Sequence, residues 1–416
     1  MEKDPKPNAR QVAIKISFVA LITLLMLIPL TMITGVIEER EETKDKVIQE
    51  VAFSYGKQQT VFAPKLISHV IEEIEITNSK GEIEKDKYVE DYSKNCKTLD
   101  YKANVETEIL HRSIYDVIVY NSKVTVSGEF TVTEKAIKAK ENLFRFEITD
   151  QKGFSNPSQL TFGNRTFDIN KKNDYYEAVV LIPDNIEAGS TVDFTFSFEL
   201  KGTESLFFRP SDIGNTSLAM SSAYPHPSFQ GELLPNSREV RDDGFYATWN
   251  ASEHNSASFY DMGVKFIDPA NPYQQSMRSV KYGMLIIILV FVAGMLVEFL
   301  TRKEINPIQY AVIGLSLVLF YSLLIAFSEF IAFGVAYTIS ASMTTVALML
   351  YYKGILKNRS AYMLGGFVAL VYVLNYILLQ METYALLAGS LVFFLLLCTV
   401  MYLTANINNK EFHKAE

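Results

Sequence analysis

From Tyr282 to Thr404 the chain is almost continuously apolar, and a second apolar stretch, Ile16–Ile37, carries no charged residue. Nothing else in the sequence restricts the fold so strongly. About 20 apolar residues in a helix cross the ~30 Å hydrocarbon layer of a bilayer, and only a helix or a closed barrel satisfies its backbone there. Ile16–Ile37 is longer than the ~7–15-residue core of a secretory signal. No small-x-small cleavage pattern precedes Glu38, Glu39 and Arg40, so it reads as a retained anchor, with Pro29 as a tolerated kink.

Charges and turn residues divide the long C-terminal stretch. Thr301, Arg302, Lys303 and Asn306-Pro307 end a first helix. Ser328-Glu329 marks a short turn, Lys353, Lys357 and Arg359 a basic loop, and Glu382 a last break. The expected spans are 282–300, 308–327, 332–352, 361–381 and 384–404, six with the anchor at 16–37. Lysine and arginine in short loops mark the cytoplasmic side. The N-terminal tail 1–15 (Lys3, Lys6, Arg10, Lys15), the 302–303 loop, the 353–359 loop and the tail 405–416 (Lys410, Lys414) are all basic. The two loops on the other side hold Glu329 and Glu382. Both termini are therefore expected in the cytoplasm, with residues 38–281 outside it.

That region is hidden in the averages, which at 49% hydrophobic and 21% charged resemble a soluble protein. It reads as β. In Val192–Leu200 apolar and polar residues alternate strictly, the period of a half-buried strand. Phe144, Phe146 and Ile148 repeat the pattern, as do Val124, Val126, Phe130 and Val132 around a gap at Gly128. Asn78–Gly81 reads as a hairpin loop and Asp243-Gly244 as a tight turn. Charged Glu38–Tyr55 is expected to prolong the first helix. The predicted class is an α+β membrane protein: one N-terminal transmembrane helix, a large extracytoplasmic β-rich domain made of one sandwich or two small ones, and a five-helix C-terminal bundle.

Chemistry-bearing patterns are sparse. Cys96 and Cys398 fall in different parts, so neither a disulfide nor a zinc set is expected. The five histidines show no His-x-x-x-His spacing, and there is no Gly-x-Ser-x-Gly elbow or P-loop. A net charge of −8 argues against nucleic acid. Glu298 is the one carboxylate at depth, and its spacing allows a pair with Arg302. Glu329 and Glu382 read as turn residues in water. Gln309, Ser316, Ser328 and Asn375 are candidates for bonds between helices, and Gly365-Gly366 and Gly389 for close helix contact.

The stretch from Ala223 to Asn250, AYPHPSFQGELLPNSREVRDDGFYATWN, admits two readings. Pro225 and Pro227 exclude a central strand. One reading is a crossover pinned by its aromatics, followed by a hairpin with Phe245, Ala247 and Trp249 on one face. The other is a site around His226, Glu232 and Arg238.

Here a resemblance enters. Tyr224, Pro225, His226, Pro227, Ser228, Phe229, Gly231, Leu234, Pro235, Arg238 and Trp249 resemble the signature of the CreD family of bacterial inner-membrane proteins. The likeness continues through Glu298, Pro307, Gln309, Tyr310, Ser328 and Glu329, with weaker echoes at His111–Ser113, Thr149–Gly153 and Gly214–Thr216. Residues 68–104 match loosely, and Pro269–Pro272 departs from the family pattern. The resemblance implies an inner-membrane protein associated with cell-envelope integrity, often encoded beside a two-component sensor and regulator. It implies no enzymatic activity, catalytic residue or cofactor. The expected partners are the lipid bilayer and an envelope protein or cell-wall component.

Overall fold

The computed structural model describes residues 9–77, 83–184, 186–212, 214–251, 260–268, 271–301 and 303–381, together with Ser390, Phe394, Cys398 and Met401. The chain forms two compact units, Met1–Thr43 with Ala270–Glu416, and Lys44–Pro269. Helices α1 (Ala9–Leu25) and α2 (Leu27–Tyr55) meet at a turn at Met26. Pro29 causes it: its nitrogen has no proton for the Leu25 carbonyl, and its ring crowds that carbonyl. Bonds from Met26 N to Ile22 O (3.0 Å) and from Leu30 N to Met26 O (3.3 Å) carry the helix across. It continues past Ile37 through the charged residues to Tyr55, the extension expected of Glu38–Tyr55.

In the β unit the strands are β1 (Gln59–Val61), β2 (Lys65–Thr77), β3 (Ile83–Asn95), β4 (Thr98–Arg112), β5 (Tyr115–Thr131), β6 (Glu141–Phe146), β7 (Phe154–Ser155), β8 (Leu160–Phe162), β9 (Arg165–Phe167), β10 (Asn170–Lys171), β11 (Tyr176–Val180), β12 (Thr191–Thr203), β13 (Ser205–Phe208), β14 (Asn215–Ser222), β15 (Pro227–Gln230), β16 (Ser237–Arg241), β17 (Gly244–Ala251) and β18 (Met262–Phe266). A short helix, α3 (Glu134–Lys138), follows β5. The largest sheet has the order β16-β17-β14-β4-β5-β12-β8-β9, with β7 also on β12. Two smaller sheets, β10-β11-β6-β2-β3 and β1-β13-β18-β15, cover the same face of it. Neither one sandwich nor two separate ones describes this: two small sheets share one large partner. The long strands β4, β5 and β12 make that sharing geometrically available.

Aromatic side chains fill both halves of the core. Phe130, Phe194, Phe196 and Phe198 of the large sheet meet Phe144 and Phe146, with centroids 5.1 Å apart for Phe144–Phe194 and 4.8 Å for Phe146–Phe196. In the other half Tyr101 meets Phe208 at 4.9 Å and Tyr120 meets Phe266 at 5.5 Å. Gly128 is the gap in the β5 pattern because the Phe194 ring occupies its place. A Cβ there would lie 3.1 Å from that ring and 2.2 Å from the Thr98 carbonyl. Val117 to Tyr120 are apolar without alternation because both faces of β5 are covered at this point. One face packs on the core, and Val117 and Val119 pack on Val51 of α2. β2 and β3 pair antiparallel up to Thr77–Ile83. The hairpin loop expected at Asn78–Gly81 lies outside the described residues.

The other unit continues with α4 (Pro272–Lys281), α5 (Gly283–Thr301), α6 (Pro307–Ser328), α7 (Phe333–Leu356) and α8 (Ser360–Gln380). The first of the five expected helices therefore starts earlier than Tyr282, and it is broken there: α4 and α5 bend by 43°. Among the described residues four helical runs are long and apolar enough to cross a membrane, Ala13–Tyr55, α6, α7 and α8, and five if the bent pair counts as one. The sixth expected span, 384–404, falls outside the described residues apart from four isolated ones.

Candidate functional site

The 223–249 segment carries the chain from one sheet to another and back. β14 ends in the large sheet at Ser222, and β15 then pairs with β18 at the edge of the four-stranded sheet, Pro227 opposite Phe266. On an edge the missing proline N–H costs no ladder bond. Tyr224 fixes the crossing: its hydroxyl donates to Ile267 O (2.7 Å) and its ring meets Phe266 edge-on at 5.6 Å. Burial pushes its phenol above the usual range. The chain turns at Gly231, whose φ of +104° suits glycine, and a Cβ there would lie 2.1 Å from Asp261 O. β16 and β17 form the expected hairpin, with Asp242-Asp243 at its tip rather than Asp243-Gly244.

Phe245, Ala247 and Trp249 face the core, and the Trp249 indole donates to Leu233 O at 3.2 Å. Phe229 stands between Phe245 (5.7 Å) and Trp249 (5.9 Å), and the Arg238 guanidinium lies over its ring. The residues of the second reading do not converge. His226 is exposed, Glu232 accepts from Asp261 N (2.9 Å), and Arg238 rests on Phe229. The pair that does organise this corner was not singled out from the sequence: Arg209 grips Asp261 with two bonds, 2.8 and 3.2 Å. Its members stand far apart in the chain, and no local spacing announces them.

In the helical unit the motif carboxylates sit at opposite ends of the bundle. Glu298 of α5 is bound by Lys15 of α1 and by the Tyr310 hydroxyl of α6 (3.4 Å). Arg302, its expected partner, lies outside the described residues. Pro307 and Gln309 build the start of α6: Gln309 accepts from Asn306 N (2.8 Å) while Asn306 accepts from Ile308 N (3.1 Å). Glu329 corrects the expectation of a water-exposed turn. Its side chain is 9% exposed, 3.6 Å from Arg40 and bonded by the Tyr273 hydroxyl at 3.2 Å, so it ties α2 and α4 to the end of α6. Ser328 bonds back to Ile325 O, and Ser316 to Val312 O, within their own helix.

The Lys15–Glu298 pair gives an asymmetric expectation. Lys15→Met strands a short, largely buried carboxylate beside Tyr310. Glu298→Gln leaves an ammonium whose long stem can carry it toward water. We expect Lys15→Met to cost about 2 kcal/mol, less than a fully buried pair because both side chains are partly exposed, and Glu298→Gln to cost less than half of that. Unfolding of both variants by titrated denaturing detergent checks this, and a reversed order would refute it.

Of the four residues expected to bond between helices, Asn375 does so. Its amide donates to the Tyr337 hydroxyl (3.0 Å) and to Ser279 Oγ (3.4 Å), joining α8, α7 and α4, while Tyr337 donates to Tyr372 O at 2.8 Å. Around them Ser276 Oγ, Ser340 Oγ, Tyr321 OH and Asn375 Oδ1 are buried without a hydrogen-bond partner. Gly365 allows close contact with Met349 of α7, where a Cβ would come within 2.7 Å; Gly389 lies outside the described residues.

Among the described residues no group of three or more His, Cys, Asp or Glu could hold a metal. The expectation that no histidine has Glu-x-x-His spacing is corrected by Glu108 and His111, which have it; they lie on a strand, where such positions face opposite sides. Cys96 is buried, and burial pushes its thiol far above the usual range, so it is a packing residue.

A solved M1 zinc metallopeptidase from Deinococcus radiodurans covers 41% of this chain and 42% of its own, at 8% identity and a TM-score of 0.24, too slight a likeness to bear on activity. The inner membrane protein CreD of Escherichia coli (strain K12) is 28% identical, over 92% of this chain and 91% of the relative. The model of the family described as inner membrane protein CreD matches residues 11–410. With its apolar helices and a family match over nearly its whole length, the chain belongs to the CreD family of inner-membrane proteins.

Proposed function

We propose that this protein supports bacterial cell-envelope integrity or the envelope-stress response without catalysis, by interaction through its β domain. Its termini lie in the cytoplasm and the β domain on the extracytoplasmic side, the arrangement that the basic loops support. The observation that carries the reading is the build of the family segment. Its polar residues are spent on a corner, while Leu234 (64% exposed), Val240 (47%) and Tyr246 (52%) are left on the surface. The fitting partner is an envelope protein or a cell-wall component.

The test introduces single cysteines at Leu234 and Val240 in cells and applies a membrane-impermeant crosslinker from outside. A specific adduct at both positions, absent from a cysteine at Lys357, is the expected result. Reaction at Lys357 alone would reverse the orientation, and no adduct at either surface position would remove the interaction. A second reading, handling of a lipid or small solute by the helical bundle, is favoured by the buried hydroxyl and amide groups between α4, α7 and α8.

A further inference from the structure

We infer that the polar groups between α4, α6, α7 and α8 form a binding site for a small uncharged molecule bearing hydroxyl or amide groups, an inference that rests on the second reading above. α4 brings polarity into an apolar bundle. Its buried face carries Tyr273, Ser276 and Ser279, one turn apart, and continues to Gly283 beyond the bend. Glycine at 283 leaves room for the Tyr321 hydroxyl: a Cβ there would lie 3.2 Å from it. Ser279 meets Asn375, Asn375 meets Tyr337, and Ser340 stands one turn beyond Tyr337. These groups follow one another along α4, starting from the end of the bundle that holds the Tyr273–Glu329 bond.

Most of them are satisfied only in part. Ser276 (1% exposed), Ser340 (0%) and Asn375 (3%) each present a polar atom without a partner. An unpartnered polar atom is strongly disfavoured in a low-dielectric interior, and polar residues inside a bilayer generally have a use. The donor set defines the ligand. Hydroxyls both give and accept hydrogen bonds, and the amide oxygen of Asn375 accepts them; among the described residues the carboxylate bonded to this row, Glu329 at its Tyr273 end, is already paired with Arg40. An ion would be left uncompensated there, and a hydrocarbon would leave the hydroxyls as they are. A neutral polyol or amide satisfies both conditions. A helix broken at a polar site inside a bundle is also a recurrent way for membrane proteins to present backbone and side chains to a solute.

The experiment uses the full-length protein in nanodiscs, with exposed Cys398 replaced by serine and inert Cys96 kept. Ser276→Cys and Ser340→Cys, both nearly isosteric, are treated with methyl methanethiosulfonate, a small neutral thiol reagent. Glycerol serves as the polyol probe, glycerol 3-phosphate as its charged counterpart, and Ser237→Cys as an exposed control. Both buried thiols should react. Saturating glycerol should slow them at least fivefold without affecting Ser237→Cys, and glycerol 3-phosphate should not. Adding Asn375→Leu should weaken protection about fivefold to tenfold, the equivalent of one or two neutral hydrogen bonds. Thiols that react but are not protected would mean water alone and would overturn the ligand site while leaving the second reading standing. Thiols that never react would overturn both.

Discussion

Trp249→Ala should lower the stability of the β domain by ~3–5 kcal/mol, whereas His226→Ala should leave it nearly unchanged. The Trp249 ring is 1% exposed, packs edge-on to Phe229 and donates to Leu233 O, so truncation opens a cavity and also orphans a carbonyl. His226 is exposed and its contact is a ring edge on Tyr224, 6.0 Å away. For a domain of this size each kcal/mol moves the melting midpoint by about 2–4 °C, so the two variants should differ by roughly 10 °C. Limited proteolysis of the full-length protein across a temperature series reads the difference. An envelope-stress complementation assay supplies the second axis. A His226→Ala protein that is fully folded yet fails to complement would refute the structural account of the crossover and restore a site at His226.

Gly128→Val should also destabilise the β domain, by about 3 kcal/mol, although residue preference alone argues the opposite. Glycine weakens a strand and valine suits one. Here, though, a Cβ would lie 2.2 Å from the Thr98 carbonyl and 3.1 Å from the Phe194 ring, so β4 and β5 must part or the ring must leave its place in the core. Overpacking of this kind typically costs ~1–3 kcal/mol, and the upper end applies because a backbone atom is involved. The chain holds a single tryptophan, so intrinsic tryptophan emission reports on the β domain within the intact protein. Urea titration followed by that emission should show an earlier midpoint for the variant. A midpoint equal to or above that of the unaltered protein would refute the packing account.

The sequence was most informative where one physical effect dominates. Apolar length marks α6, α7 and α8 because the bilayer leaves a long uncharged stretch no other fate. Strict alternation marks β12, whose inward phenylalanines all enter the core. Pro227 is confined to an edge and is found on one. The failures share a cause as well. Glu329 sits in a short turn, which suggested water, but a residue of α2 and another of α4 close over it. Lys281 suggested that the helix begins at Tyr282, but a further helix, α4, precedes it, buries its serines and meets α5 at a 43° bend.

Sequence alone determined where this protein is apolar, where it alternates, and which family pattern it carries, since each of these is a property of neighbouring residues. Tertiary structure decided everything that depends on distant residues meeting. It set two small sheets on one face of a large one, and it filled the place of a side chain at Gly128 with the ring of Phe194. It gave Glu298 to Lys15, 283 positions away, and brought Asn375 against Ser279. The physical reason is that burial and hydrogen bonding are settled by which groups exclude water from one another, and spacing along the chain does not record that.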